Sequence, residues 1–475
     1  MQKPEPNAHL RAVPKSMRPL LLGSIGSQGI AMILLLCSIP GYGLSVYGSV
    51  VGYFLVTNLL SHFMILKSCN TILRTACDVR LGQVVASAIL SASFLTVIAV
   101  VATCLLAYMQ YLVPLGFWIW LGPSLFAGGL YDLYSAIQLR EDRLVYIARS
   151  RLILALTNGV LLLAFSFLAP HAESIVAAYF FGYCASALYL CHWQYSRQAI
   201  AYIRSVGLRA FEPNLNDATK GVGVPVTETL SSYGIPAVIE VFLGSVAAAT
   251  YLISARVIYM PLILISQASA QTLQSWASRI TKDQAADYVS RKVGTLGVLV
   301  FGIVLILHPL ISILTTAVYG HRFSTFVQII SQMLLQVPII WVLRNLEAFA
   351  IAHHATGTVW TIRGTALVAA VAVIIAQNNA FDAISVILQS IAASGLVLSI
   401  GIIIICRVLL KSTHTSIKWV WVSPVSAASL SLLISVHFVE SGAVTAVIWI
   451  ATGTLVLVFA SLKVLHDQKA SDARK

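Results

Sequence analysis

The chain has 475 residues, 58% of them hydrophobic and only 10% charged, with a mean hydropathy of +0.87. Soluble domains carry about 25% charged residues, so the composition excludes a soluble enzyme or binding module and points to an integral membrane protein that spans many times. In a soluble protein the net charge of +13 would suggest nucleic acid; here it first asks whether the basic residues sort to one side of a bilayer.

Residues 1–18 are polar and Pro-containing and read as a short cytoplasmic tail without a cleavage site. A spanning helix needs about 20 apolar residues. Taken in order, the apolar runs predict 14 spans: 19–39, 48–66, 81–108, 112–137, 146–169, 173–192, 222–243, 245–273, 293–316, 324–352, 358–376, 381–406, 418–437 and 443–464. The longest linker is internal, 193–221. It divides an N-lobe of helices 1–6 (19–192) from a C-lobe of helices 7–12 (222–406), with a further pair over 418–464 and a cytoplasmic tail over 465–475. Sequence support for an internal duplication is slight: the first and seventh spans each end in a short turn leading to a tyrosine, Gly43 to Tyr47 and Gly244 to Tyr251.

With the N-terminus in the cytoplasm, the basic residues fall in the tails, the even-numbered turns and the helix ends that flank them. Of 30 Lys and Arg, only Arg322 lies in an outward loop and only Arg256 within the membrane. This sorting accounts for the net charge, predicts cytoplasmic termini and removes the need for nucleic acid. Trp118 and Trp120 at an outer end, and Trp193, Trp276, Trp360, Trp419 and Trp421 at inner ends, fit interfacial belts. The seven cysteines form no CxxC and no metal spacing.

Arg256 is the residue that needs an explanation. A mid-membrane arginine costs roughly 2.5–3.5 kcal/mol on insertion scales and usually faces a water-filled cavity or the protein interior. It lies 11 residues after Ser245, about 16 Å along a helix. Tyr259, Gln267 and Gln271 follow near the same face, and Pro261 allows a kink. An anion site in a central cavity is one reading; an arginine paired to a carboxylate for packing is the other. The preceding span offers Glu228 and Glu240 as ion-coupling carboxylates, with Pro225 and Pro236 making it a bending element. Glu240 reads equally well as an interfacial residue. Gln328, Gln332 and Gln336 repeat at i, i+4 and i+8, as a cavity lining or as interhelical hydrogen bonds. Arg344 and Glu347 have the spacing of a local ion pair. With Asp132, near the inner end of the fourth span, they mark the inner gate. Gly23, Gly26 and Gly29 suit close packing of the first span. There is no GxxxxGK[ST] for ATP and no catalytic constellation.

These features resemble a family. Ala247–Ser278, with its Tyr251, Ala255-Arg256, Pro261 and small/Gln stretch, resembles the eighth helix of Wzx-type polysaccharide flippases of the multidrug/oligosaccharidyl-lipid/polysaccharide (MOP) exporter superfamily. Gly41-Tyr42-Gly43 with Tyr47-Gly48 resembles the family's opening hairpin, and Leu139–Leu156, with Arg140, Arg143 and Arg149, its turn between helices four and five. The resemblance implies an all-α membrane fold, two six-helix lobes in a MATE-like V plus two C-terminal helices. It implies transfer of an undecaprenyl-pyrophosphate-linked oligosaccharide across the bacterial inner membrane by alternating access, for surface or exopolysaccharide synthesis. No cofactor is implied beyond coupling to H⁺ or Na⁺. The partners implied are that glycan, membrane lipids, the polysaccharide polymerase and chain-length or export proteins. Carried over, Arg256 would meet the pyrophosphate or an acidic sugar. Two departures matter. Ala249-Thr250 stands where the family has a glycine before its tyrosine, and Leu20–Pro40 lacks the arginines of lipid II flippases, which favours another glycan.

The alternatives are an ion-coupled multidrug antiporter of the same superfamily and a membrane polymerase. The first usually has 12 helices and membrane acids in its first lobe; the second needs a large outer loop with arginines.

Overall fold

The computed structural model describes residues 18–64, 72, 78–108, 116–141, 143–191, 193–207, 226–227, 229–259, 300–308, 324–352, 356–377 and 383–409. Every regular element among them is helical, as a bilayer demands of backbone that must satisfy its own hydrogen bonds. Eight helices among the described residues are long and apolar enough to cross a membrane. The predicted spans at 418–437 and 443–464 lie outside the described residues. The chain is an all-α, multi-pass membrane protein that divides into two units, Met1–Thr229 and Leu230–Lys475.

The first unit comprises α1 (Arg18–Tyr42), α2 (Leu44–Ser49), α3 (Val51–Met64), α4 (Asp78–Tyr108), α5 (Leu121–Arg140), α6 (Leu144–Leu168), α7 (Ala172–Leu190) and α8 (Trp193–Val206). Its strongest packing joins α1 to α6, and glycines explain it. A Cβ on Gly23 would lie 2.6 Å from that of Ala148, one on Gly41 2.5 Å from the Ser166 carbonyl, and one on Gly159 2.4 Å from Leu34. Where lipid removes the hydrophobic drive between helices, such close approach supplies the van der Waals contact.

Charge sorts along this unit. A core cluster brings Leu81 and Val85 of α4, Leu133 and Ile137 of α5, Leu190 of α7, and Tyr195 and Ala199 of α8 to one end. Arg140, Arg143, Arg149, Arg197 and Arg204 belong to the same end. At the other end Tyr42 hydrogen-bonds Ser174 at 3.0 Å, and the charged side chain among the described residues is Glu173. The stretch predicted to open a linker at 193 instead forms α8. Tyr195, Ala199, Tyr202 and Ile203 recur at helical spacing, and this face packs on the core while Arg197, Ile200 and Arg204 stay exposed.

The second unit opens on a π-helical turn, Leu230–Gly234, continued by α9 (Ile235–Leu243) and α10 (Ser245–Tyr259). The π turn ends two residues before Pro236. That proline has no N–H to give and its ring crowds the carbonyl four residues back, so the ladder widens there. The π turn thus falls beside Pro236, one of the two prolines expected to make this span a bending element. Then come α11 (300–308), α12 (Ser324–Ala352), α13 (Thr356–Gln377) and α14 (Ala383–Leu409), with α13 packed on α14 and α14 on α12.

Two turns in different units share one backbone conformation. Gly43, between α1 and α2, has φ 76°, ψ 157°; Gly244, between α9 and α10, has φ 92°, ψ 165°. In each the glycine N–H bonds the carbonyl four residues back, Ile39 at 2.8 Å and Glu240 at 3.2 Å. Glycine almost alone reaches this region. The weak sequence parallel between the first and seventh spans thus has a conformational counterpart.

Candidate functional site

In the second unit α10 buries Ala248, Ala249, Tyr251, Leu252 and Ile253 and holds Arg256 and Tyr259 half-buried. Tyr259 Oη donates to Gln336 Oε1 of α12 at 2.6 Å. Gln336 in turn donates from Nε2 to Ser394 Oγ of α14 at 3.1 Å and to the Ile391 carbonyl. The tyrosine and glutamine therefore tie three helices together one turn from Arg256. An arginine so placed offers a rigid fork of donors suited to phosphate or carboxylate.

The other sequence-selected residues fall as follows. Gln332 is buried in the same face of α12 as Gln336. Glu240 is half-buried one turn from the end of α9. Gln267, Gln271 and Glu228 lie outside the described residues. Glu347 accepts two hydrogen bonds from Arg363 of α13, from Nε at 2.5 Å and Nη2 at 2.6 Å. This bidentate pair, with side chains 11% and 7% exposed, joins α12 to α13. Sequence spacing put Glu347 beside Arg344; its guanidinium partner came from the next helix. Arg344 is half-buried.

In the first unit Asp132 is exposed on α5, eight residues before Arg140. Arg151, predicted at the inner helix end, sits seven residues past the start of α6 at Leu144. The two are thus level, each about 10–12 Å from the turn joining their helices. Arg151 Nη1 donates to Ser24 Oγ of α1. Tyr131 lies within electrostatic reach of both Arg151 and Asp132. The signal in the sequence was the offset between Arg149 and Arg151: two residues apart, they point to opposite sides of α6, and Arg149 is exposed while Arg151 turns inward. Among the described residues no three His, Cys, Asp or Glu side chains gather as a metal site.

No protein-family model matches the chain, and no curated protein matches it. Solved structures do. The lipid II flippase MurJ in an inward closed conformation superposes with a TM-score of 0.58 at 13% identity, over 94% of this chain and 99% of that one. An inward-facing multidrug-resistance MATE family transporter of the MOP superfamily gives 0.54 at 12% identity, over 93% and 99%. The MATE transporter ClbM in complex with Rb⁺ gives 0.50 at 15% identity, over 85% and 96%. The chain has their fold. At these identities the likeness is one of helix arrangement, and it runs over most of both chains in each case.

Proposed function

We propose that this protein is a MOP-superfamily flippase, of Wzx type, that carries an undecaprenyl-pyrophosphate-linked oligosaccharide from the inner to the outer leaflet of the bacterial cytoplasmic membrane by alternating access. The observation that carries this reading is the near-complete fold match to a lipid flippase, in a chain whose α10 bears an arginine, Arg256, one turn before Tyr259. Arg256 meets the pyrophosphate or an acidic sugar, and Tyr259, Gln332 and Gln336 hold its surroundings. Glu240, with Glu228, is a candidate for H⁺ or Na⁺ coupling. Both termini face the cytoplasm. The first helix carries no charge after Arg18, which favours a surface or exopolysaccharide repeat unit over the peptidoglycan precursor. Polymerase and chain-length or export proteins are the partners this role calls for.

A second reading, an ion-coupled multidrug antiporter, draws on the MATE structures among the matches. One experiment separates the two. In the native host, the gene is deleted and restored as wild type, Arg256→Ala or Arg256→Lys, and lipid-linked oligosaccharide and surface glycan are measured. The flippase reading expects the deletion to strand glycan on the cytoplasmic side, Ala to fail despite normal insertion, and Lys to rescue in part. Full rescue by Ala makes Arg256 a packing residue. Intact glycan export with altered drug sensitivity establishes the antiporter.

A further inference from the structure

The last helix of the first unit, α8, turns a basic face outward. Its other side is anchored. Tyr195 and Ala199 are buried in the core cluster, and Tyr202 and Ile203 pack against it. Ser196 Oγ and Tyr134 Oη of α5 share a hydrogen bond of 3.0 Å. A Cβ on Gly82 of α4 would come within 3.5 Å of the Gln198 Cβ. The opposite side carries Arg197, Ile200, Ala201 and Arg204, all exposed. Two full turns separate the arginines, so they stand on one line of the helix about 10 Å apart. Ile200 and Ala201 fill the space between them, and α8 contains no Asp or Glu.

The depth of this face decides what meets it. Leu81 and Val85, in the cluster that α8 packs on, open the apolar span Leu81–Leu105 of α4, and Leu190 closes the span Ala172–Leu190 of α7. α8 therefore lies against the ends of membrane-crossing helices, at the level where headgroups meet acyl chains. Arg140, Arg143 and Arg149 belong to the same end and add to its positive field.

We propose that the face of α8 formed by Arg197, Ile200 and Arg204 is a docking surface for anionic phospholipid in the leaflet at this end. The chemistry selects the partner. Each guanidinium donates to the phosphate of a headgroup, and the arginine stems lie with Ile200 along the upper acyl chains. Basic residues beside a membrane are drawn to an anionic surface in this way. A soluble acidic protein would satisfy the arginines but has no use for an exposed isoleucine at the level of the bilayer edge. The rest of α8 is fixed to α4, α5 and α7, so lipid meets an ordered pair of donors. The surface is independent of what the protein carries, and the flippase reading does not depend on it.

The test titrates the full-length protein in detergent with phosphatidylglycerol and with phosphatidylcholine of the same acyl chains, and reads bound lipid by native mass spectrometry. Phosphatidylcholine carries its phosphate beneath a cation, so wild type should bind phosphatidylglycerol more tightly. Arg204→Gln should weaken phosphatidylglycerol about fivefold, the worth of one basic residue at an anionic surface. Arg197→Gln with Arg204→Gln should weaken it about 25-fold on the same scale. Phosphatidylcholine binding should be unchanged in both, which also shows that the variants are folded. Arg204→Lys should keep most of the preference. Arg143→Gln is the control: it removes a charge from the same end, but at the α5–α6 turn, where Arg143 pairs with Glu141 at 3.1 Å, and it should bind as wild type does. Equal affinity of wild type for the two lipids overturns the docking surface. So does an equal loss in Arg143→Gln and Arg204→Gln, which would make net charge the cause, and so does a parallel loss of both lipids. Each of these results leaves the flippase reading standing.

Discussion

The residues that carry charge into the membrane do so with partners whose geometry decides their role. Glu347 and Arg363 satisfy each other by two short hydrogen bonds, the fork-to-carboxylate arrangement that lysine cannot reproduce. Breaking a buried pair from one side costs about 3–5 kcal/mol, because the remaining charge is left uncompensated. Glu347→Gln should therefore lower the thermal unfolding midpoint in detergent by several degrees. Arg363→Lys should fall between it and wild type, since the charge survives and the fork does not. An unchanged midpoint in both variants would mean the pair is dispensable for stability. Gln336 is the neutral counterpart: one amide engages Tyr259, Ser394 and the Ile391 carbonyl at once. Gln336→Leu removes all three links and leaves the Tyr259 hydroxyl without that acceptor. A loss of about 1–3 kcal/mol is expected, read as lowered resistance to heat-induced aggregation.

At the scale of elements, close packing and special turns do what hydrophobicity cannot do in lipid. The α1–α6 contact depends on the missing Cβ of Gly23, Gly41 and Gly159. The turns at Gly43 and Gly244 depend on a backbone region that side chains avoid. Gly244→Ala and Gly43→Ala should each destabilise by about 1–3 kcal/mol, the cost of strain at such a position. Gly128→Ala, with open space around the added methyl, should be nearly silent. The comparison of the three in one thermal assay checks the claim; similar midpoints for all would refute it. Because the same turn conformation recurs in both units, strain at Gly43 and Gly244 should lower the two midpoints alike.

For the whole molecule, charge asymmetry sets the way the chain sits in the bilayer. One end of the first unit holds Arg140, Arg143, Arg149, Arg197 and Arg204, and the other holds Glu173. The positive-inside rule predicts that the basic end faces the cytoplasm. In a background lacking the native cysteines, Glu173→Cys should react with a membrane-impermeant maleimide in intact cells, and Arg143→Cys only after permeabilisation. The reverse pattern would invert the topology and the direction of transport proposed above.

Much was legible in the sequence because membrane insertion reads local composition. Apolar runs of about 20 residues become helices wherever they stand, so the helical class followed from the chain alone, and Pro236 marked where the helical ladder widens. Where two helices meet depends on residues far apart in sequence. The Glu347–Arg363 pair, the link from Tyr259 through Gln336 to Ser394, and the inward turn of Arg151 toward Ser24 each join separate helices. No spacing within one helix announces them. The sequence by itself determined that this protein is a bundle of membrane helices, since hydropathy is a local sum. The tertiary structure alone decided which polar residues of separate helices close on each other, because a side chain's partner is set by the packing of helices distant in the chain.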